Sequence, residues 1–319
     1  MNAAVLRANG LVLPTTLGAR NHRRLAAMVN DHDVVDDYIK QQGLLDPQQR
    51  LAAREEWQRR FAQEVQQSDA DCMLISSEHL QSRLRSQAEL QRLHQLLAGL
   101  FSSIRVVVYL RDPLSTVLSL YSTAIKSGGC IKAPPMPGEN AYFDHVVNHA
   151  ATLKRWGDVF GVQNLCVRLF GRSAFVGGEL IADFVDVCRL PKLHFRRPDA
   201  QNATLSAVGA AILSRVNQRV PKFTDDGVPN PTRGELAQYF ERHFSDGVPV
   251  RPDLQWVEAY EAAFSASNEW VRSRYFPQRE RLFPQSQGAS VAQESLPEAE
   301  LDTIAGLIAD IWLNPRSSY

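Results

Sequence analysis

Apolar residues in the first two thirds of the chain alternate between helical spacing and short continuous runs. The helical spacing predicts helices over 48–67, 86–100, 113–127, 142–160 and 177–189. The continuous runs between them predict strands over 71–76, 104–110 and 164–170. IRVVVYL, residues 104–110, has the β-branched composition of a strand covered on both faces. Such alternation is typical of a parallel sheet packed between helices.

The last third of the chain has only helical spacing. The pattern predicts helices near 204–219, 232–244, 254–274 and 297–312, separated by Pro- and Gly-containing loops. We therefore expect an α/β core over residues 1–200. Residues 201–319 should form a helical C-terminal part of the same domain.

Composition excludes several classes of protein. The 319 residues include 35 Lys+Arg and 35 Asp+Glu, and 44% are hydrophobic, which excludes a globally disordered chain. The balanced charge does not suggest a nucleic-acid partner, and no apolar run approaches the roughly 18 residues of a membrane span. The four cysteines form no metal-binding spacing, so we expect no metal, buried reduced thiols at Cys72, Cys166 and Cys188, and a cytoplasmic location.

The most informative segment is VVVYLRDPLSTVLSLYSTAIKSG, residues 106–128. Arg111 leaves the carboxyl end of a predicted strand, where parallel sheets bind ligands. Asp112 and Pro113 suit the start of the next helix, and Ser119 follows two turns later. A guanidinium and a hydroxyl near a helix start can bind one phosphate. The simpler alternative is an Arg–Asp ion pair with a helix cap.

The arrangement strand-RDPxxxxxSxY resembles the 3′-phosphate site of sulfotransferases, whose sulfate donor is 3′-phosphoadenosine 5′-phosphosulfate (PAPS). The resemblance extends more diffusely through LISSEHL at 74–80, residues 153–190, NATLS at 202–206 and residues 264–283. It implies that Arg111, Ser119 and Asn202 bind the PAPS nucleotide. It also implies a P-loop-like, three-layer α/β/α fold with a parallel sheet.

The chain departs from that family at its start. Sulfotransferases begin with a strand and a K-x-G-T-T/S-like loop around the phosphosulfate, and no such loop occurs before Pro14. VLRANGLVLP, residues 5–14, instead resembles the segment after the loop's helix, so we expect the first strand and the loop to be missing. Thr15, Thr16 and Gly18 are a weak substitute because they lack an adjacent lysine. We therefore expect this chain to transfer little or no sulfate.

Two residues are candidates for the catalytic base. His22 lies where the family commonly has a His or Glu, and Glu78 follows a predicted strand at the expected cleft. The alternatives are a surface histidine and a helix-capping or loop carboxylate. Arg168, inside the apolar strand LCVRLF, should have an acidic partner or bind the acceptor.

Three functions remain open from the sequence. The first is transfer of a sulfuryl group from PAPS, without a metal, to a hydroxyl of a carbohydrate or small molecule. The second is a non-catalytic remnant that binds a 3′-phosphonucleotide. The third is another phosphate-handling enzyme such as a kinase, which the absence of a Walker lysine disfavours. The acceptor and the oligomeric state are not encoded in any motif of this sequence.

Overall fold

A computed structural model describes residues 2–19, 21–190, 204–285, 288 and 296–313. Its strands are β1 (Leu11–Val12), β2 (Cys72–Met73), β3 (Val106–Leu110) and β4 (Leu165–Leu169). Its helices are α1 (Ala3–Arg7), α2 (Arg23–Val29), α3 (Asp37–Gln41), α4 (Pro47–Gln66), α5 (His79–Arg83), α6 (Gln87–Ala98), α7 (Pro113–Lys126), α8 (Ala141–Val147), α9 (His149–Phe160), α10 (Leu180–Val187), α11 (Ala207–Arg219), α12 (Leu236–Phe244), α13 (Leu254–Tyr275) and α14 (Glu298–Leu313). The chain is therefore a mixed α/β protein, as the sequence predicts.

The chain divides into two compact units. Unit 1 comprises residues 1–111, 148–198 and 270–280, and unit 2 comprises residues 112–147, 199–269 and 281–319. All four strands belong to unit 1. Across the residues described, no helix is long and apolar enough to cross a membrane.

The strands of unit 1 form two parallel pairs. β1 pairs with β2, and β3 pairs with β4 in a register that aligns Tyr109 with Arg168. The two pairs are not hydrogen-bonded to each other, which differs from the single sheet that the sequence suggests. Of the β3 residues, Leu110 is buried and the other four are partly buried. Within the described part of the chain β3 has one neighbouring strand, so its other edge lacks a partner.

One hydrophobic cluster, here called the unit 1 core, packs helices against these strands. Its buried members are Leu17, Leu25, Ala26, Met28, Val29, Phe61, Leu84, Leu90, Leu93, Leu97, Trp156 and Phe160. Met73 of β2, Val106 of β3 and Leu165 of β4 pack against it. A smaller cluster of Leu6, Leu11 and Leu190 packs with Leu74. Burial of these apolar side chains orients both strand pairs.

Unit 2 is helical around its own core. α7 contributes the buried side chains of Leu114, Val117, Tyr121 and Ile125, which recur at helical spacing. Helices α8, α11, α12, α13 and α14 supply the rest of that core. The isolated bridges Ser206–Pro249 and Phe223–Pro229 are the strand-like pairings described there.

Several local differences from the sequence prediction have identifiable causes. The single helix predicted over 142–160 is two helices, because Asn148 caps α9 by accepting from the Ala151 N–H at 3.1 Å. Helices α2, α3 and α5 were not predicted, since five to seven residues are too few to establish a helical period. Cys72 is exposed rather than buried, because β2 is only two residues long.

Candidate functional site

His22 lies at the carboxyl ends of β1 and β2, and its ring is built into the backbone there. The His22 Nδ1 accepts from the Ser76 N–H at 2.8 Å, and the backbone N–H of His22 donates to the Ser76 carbonyl at 3.1 Å. The ring also hydrogen-bonds the Pro14 carbonyl, and the residue is only 5% exposed. Burial lowers the pKa of His22, against opposing effects of Glu64 and that hydrogen bond. The imidazole is thus a neutral link between the two segments.

Glu78 lies beside His22 but is open to solvent. The Asn21 Nδ2 donates to its Oε2 at 2.7 Å, and the Ser77 hydroxyl donates to the Asn21 Oδ1 at 2.7 Å. Its side chain is 72% exposed, and it makes no capping bond to α5 although it precedes that helix. The structure therefore brings together the two sequence-predicted base candidates at the ends of β1 and β2. Of the two, Glu78 has the accessible carboxylate.

Thr15 and Thr16, the weak substitute for a phosphosulfate loop, donate to an internal carboxylate. Glu64 of α4 accepts from the Thr15 N–H and hydroxyl, both at 2.7 Å, and from the Thr16 N–H at 3.0 Å and hydroxyl. Desolvation raises the pKa of Glu64, but these hydrogen bonds outweigh it and the pKa is lowered. The donors of this turn are therefore already occupied.

At the ends of β3 and β4, Arg111 lies next to an exposed aromatic ring. Its guanidinium carbon is 5.8 Å from the centroid of Phe170, which is 43% exposed and directly follows β4. The His149 Nε2–H donates to the Arg111 carbonyl at 2.8 Å and fixes the backbone there. Asp112 accepts from the Ser115 N–H at 2.8 Å and so begins α7 as predicted. The carboxylate of Asp112 therefore acts as a helix cap.

Beneath this surface lies a buried ionic cluster centred on Asp183 of α10. This fully buried carboxylate accepts from Tyr109 at 2.7 Å, from the Val176 N–H at 3.1 Å, and from two nitrogens of Arg168. Burial alone would raise the pKa of Asp183, but the bonds from Arg168 and Tyr109 lower it. This confirms the expectation of an acidic partner for Arg168. Phe175 contacts both Tyr109 and Phe170 edge to face, which supports the exposed ring.

The remaining predicted ligands are Ser119 and Asn202. Ser119 is an exposed residue of α7 and belongs to unit 2. Arg111 belongs to unit 1, where it ends the segment of residues 1–111. Asn202 lies outside the residues that the structure describes. Two residues of interest were missed by sequence reasoning, Phe170 and Glu64. Phe170 could have been suggested as a binding residue because it is an aromatic residue at the end of an apolar strand. No residue near Glu64 in the sequence indicates that it bonds Thr15 and Thr16.

The chain was compared with known proteins in three ways. No family model matches it, and neither the curated proteins nor the solved structures contain a match. The function must therefore be inferred from the residues of this chain. Among the described residues, no group of three or more His, Cys, Asp or Glu side chains is positioned to bind a metal ion.

Proposed function

We propose that this chain binds a 3′-phosphonucleotide of the PAPS type through Arg111 and has the fold and site of a sulfotransferase. The position of Arg111 beside the exposed Phe170 ring carries the proposal. A guanidinium binds phosphate through paired N–H donors, and an aromatic face stacks a base. A nucleotide with a phosphate on its ribose offers both groups close together. The sequence pattern adds Ser119 and Asn202 as further ligands.

We further propose the P-loop-like, three-layer form of the α/β fold. Two features of unit 1 support it. The unit 1 core packs on one side of β2, β3 and β4, whereas Tyr109 and Arg168 bond α10 through Asp183. Both strand pairs are parallel, as in sheets covered by helices on two faces.

In the catalytic form of this proposal, Glu78 is the base. The acceptor hydroxyl attacks sulfur, the bond from sulfur to the phosphate oxygen breaks, and Glu78 takes the hydroxyl proton. Glu78 suits this role because its carboxylate is 72% exposed and is positioned by Asn21. His22, whose Nδ1 accepts from Ser76 and whose ring also bonds Pro14, acts as a positioning residue for the segment next to Glu78.

One observation favours the second function, a nucleotide-binding protein without transferase activity. The leaving phosphate of PAPS needs donors or positive charge. The N–H and hydroxyl groups of Thr15 and Thr16 are bonded to Glu64 instead. In this form the chain keeps the nucleotide site and transfers little sulfate.

Thermal unfolding with added nucleotides tests the proposal. A ligand that binds only the folded chain raises its melting temperature. We expect adenosine 3′,5′-bisphosphate to raise it more than adenosine 5′-monophosphate, and ATP with Mg²⁺ to have no larger effect. Phe170→Ala should weaken binding about 5- to 150-fold, the range for the roughly 1–3 kcal/mol of one stacked base. An equal rise in melting temperature with adenosine 3′,5′-bisphosphate and with adenosine 5′-monophosphate would contradict the proposal. Transfer of labelled sulfate from PAPS then separates the catalytic form from the binding form.

A further inference from the structure

In unit 1, the end of α13 and the middle of α9 carry exposed cations around one tryptophan ring. The Lys154 Nζ lies 4.8 Å from the centroid of the Trp270 ring, and the Arg274 guanidinium carbon lies 5.7 Å from it. The Tyr275 ring contacts Trp270 edge to face, with the two centroids 6.2 Å apart. Lys154 and Arg274 are exposed, and Trp270 is half-buried. Lys154, Trp270 and Arg274, together with Arg279, are here called the basic patch.

Arg279 is held at the same end of α13 by the turn that follows the helix. The Arg272 Nη1 donates to the Arg279 carbonyl at 2.8 Å, and the Arg279 N–H donates to the Phe276 carbonyl at 3.0 Å. The Phe276 N–H in turn donates to the Arg272 carbonyl at 2.8 Å. Arg272 is two residues from both Trp270 and Arg274 in the sequence. The turn therefore brings a third cation to this part of the surface.

The protein does not neutralise the charges of the basic patch. Within the described part of the chain, Lys154, Arg274 and Arg279 form no ion pair. Asp158 lies one turn after Lys154 on α9, a spacing that suits an ion pair, yet the lysine lies over Trp270 instead. An aromatic ring attracts a cation through its quadrupole and has no net charge. The cations therefore keep their charges and N–H donors for an external anion.

The basic patch is connected to the candidate base through α9. Gln81, three residues after Glu78, donates to the Thr152 hydroxyl at 3.1 Å. Thr152 is buried, whereas Lys154, two residues later on α9, is on the exposed face of that helix. The patch and the segment of Glu78 thus lie on opposite sides of one helix, whose diameter is about 10–12 Å. An oligosaccharide, rather than a single sugar, has the length to contact both.

We propose that the basic patch binds an acidic polysaccharide, a sugar chain that carries carboxylates, and that this chain is the acceptor of the proposed sulfuryl transfer. The acceptor role rests on the proposed function, whereas binding at the patch does not. The cations come from two helices and a turn, which suits carboxylates repeated along a chain. A nucleic acid suits the patch less well, because bases stack on open aromatic rings and the Trp270 ring has cations over it. The chain as a whole also has no excess of positive charge.

Titration of a fluorescently labelled polygalacturonate oligosaccharide, followed by anisotropy in low salt, tests the binding surface. We expect the chain to bind this oligosaccharide and not to bind uncharged dextran of the same length. Lys154→Gln combined with Arg274→Gln should weaken binding about 5- to 30-fold, the range for the loss of two exposed charged contacts. Arg59→Gln combined with Arg60→Gln removes two exposed cations of α4 and is the matched control, with an expected effect below about twofold. Equal weakening in the two double variants, or no binding of polygalacturonate to the parent chain, would overturn the proposal.

Two further titrations separate this inference from the proposed function. Adenosine 3′,5′-bisphosphate should bind the double variant of Lys154 and Arg274 as tightly as it binds the parent chain, and weaker binding would contradict a separate surface. A single-stranded oligodeoxynucleotide of equal charge should bind less tightly than polygalacturonate. Equal or tighter binding that depends on Lys154 and Arg274 would assign the patch to nucleic acid and overturn the proposal. A parent chain that binds polygalacturonate but not the bisphosphate would refute the nucleotide site and the acceptor role, and would support binding at the patch alone.

Discussion

The two strand ends of unit 1 use charged residues in opposite ways. At the ends of β1 and β2, Glu64 is bonded to the Thr15–Thr16 turn and His22 to Ser76 and Pro14. At the ends of β3 and β4, charge is neutralised below the surface at Asp183, while Arg111 and Phe170 lie above it. The first end is held together by polar side chains. The second combines a buried support with a surface suited to a ligand.

This difference predicts that stability and ligand binding depend on separate residues. Substitutions at His22 and Glu64 should change the free energy of unfolding and have little effect on nucleotide affinity. Substitution of Arg111 should do the reverse.

The largest expected effect is the loss of Asp183. Asp183→Ala removes the partner of Tyr109 and Arg168 and leaves a partly buried guanidinium without its counter-ion. We expect a loss of about 3–5 kcal/mol in the free energy of unfolding, measured by urea denaturation. A loss below about 1 kcal/mol would show that the cluster is not the support of the second strand end.

Glu64→Gln should have the next largest effect. The amide offers one acceptor where the carboxylate offers two, so the N–H groups of either Thr15 or Thr16 lose their partner. We expect a loss of about 1–3 kcal/mol in the free energy of unfolding. Glu56→Gln on the same helix is the matched control, since the bonds of Glu56 within the described part of the chain are to neighbouring Arg59 and Arg60. An equal effect of the two substitutions would contradict the special role of Glu64.

Substitution of His22 should have a smaller effect on the free energy of unfolding, and this effect should depend on pH. Because burial lowers the pKa of His22 below 6.5, the unfolded chain binds more protons than the folded chain as the pH falls. This contribution to stability is present above about pH 6.5 and is lost as the pH falls towards the folded pKa, by at most about 1.4 kcal/mol per pH unit. His22→Gln should reduce the loss of stability between about pH 7.5 and about pH 5.5. Part of the loss of stability should remain in this variant, because the pKa of His79 is also lowered by burial. If stability depended on pH in His22→Gln as it does in the parent chain, the pH dependence could not be assigned to His22.

The sequence predicted best what depends on neighbouring residues. Asp112 and Pro113 begin α7, and the buried face of α7 follows the predicted spacing, because caps and helical periods are local. The partner of Arg168 could be anticipated as an acid, since a charge in an apolar strand needs one. Its identity as Asp183 could not be predicted, because the two residues meet only through the packing of α10 on the strands.

What the sequence could not predict depends on contacts between distant segments. The Ser76 N–H bonds a ring 54 residues earlier, and Glu64 reaches back 49 residues to Thr15. No local pattern encodes these bonds, so the sequence could suggest His22 as a base but not its bonds to Ser76 and Pro14. The separation of the strands into two pairs is likewise a property of assembly rather than of any one strand.

The most direct test of the central claim is calorimetric titration of adenosine 3′,5′-bisphosphate into the chain and into Arg111→Ala. Ser119→Ala and Asn202→Ala extend the comparison to the two other ligands inferred from the sequence. We expect Arg111→Ala to weaken binding about 10- to 150-fold, the range for about 1.5–3 kcal/mol from hydrogen bonds to a charged group, with an unchanged melting temperature. Ser119→Ala should weaken it less. Equal affinity in a folded Arg111→Ala chain, or no binding to the parent chain, would contradict the claim that this strand end binds a 3′-phosphonucleotide.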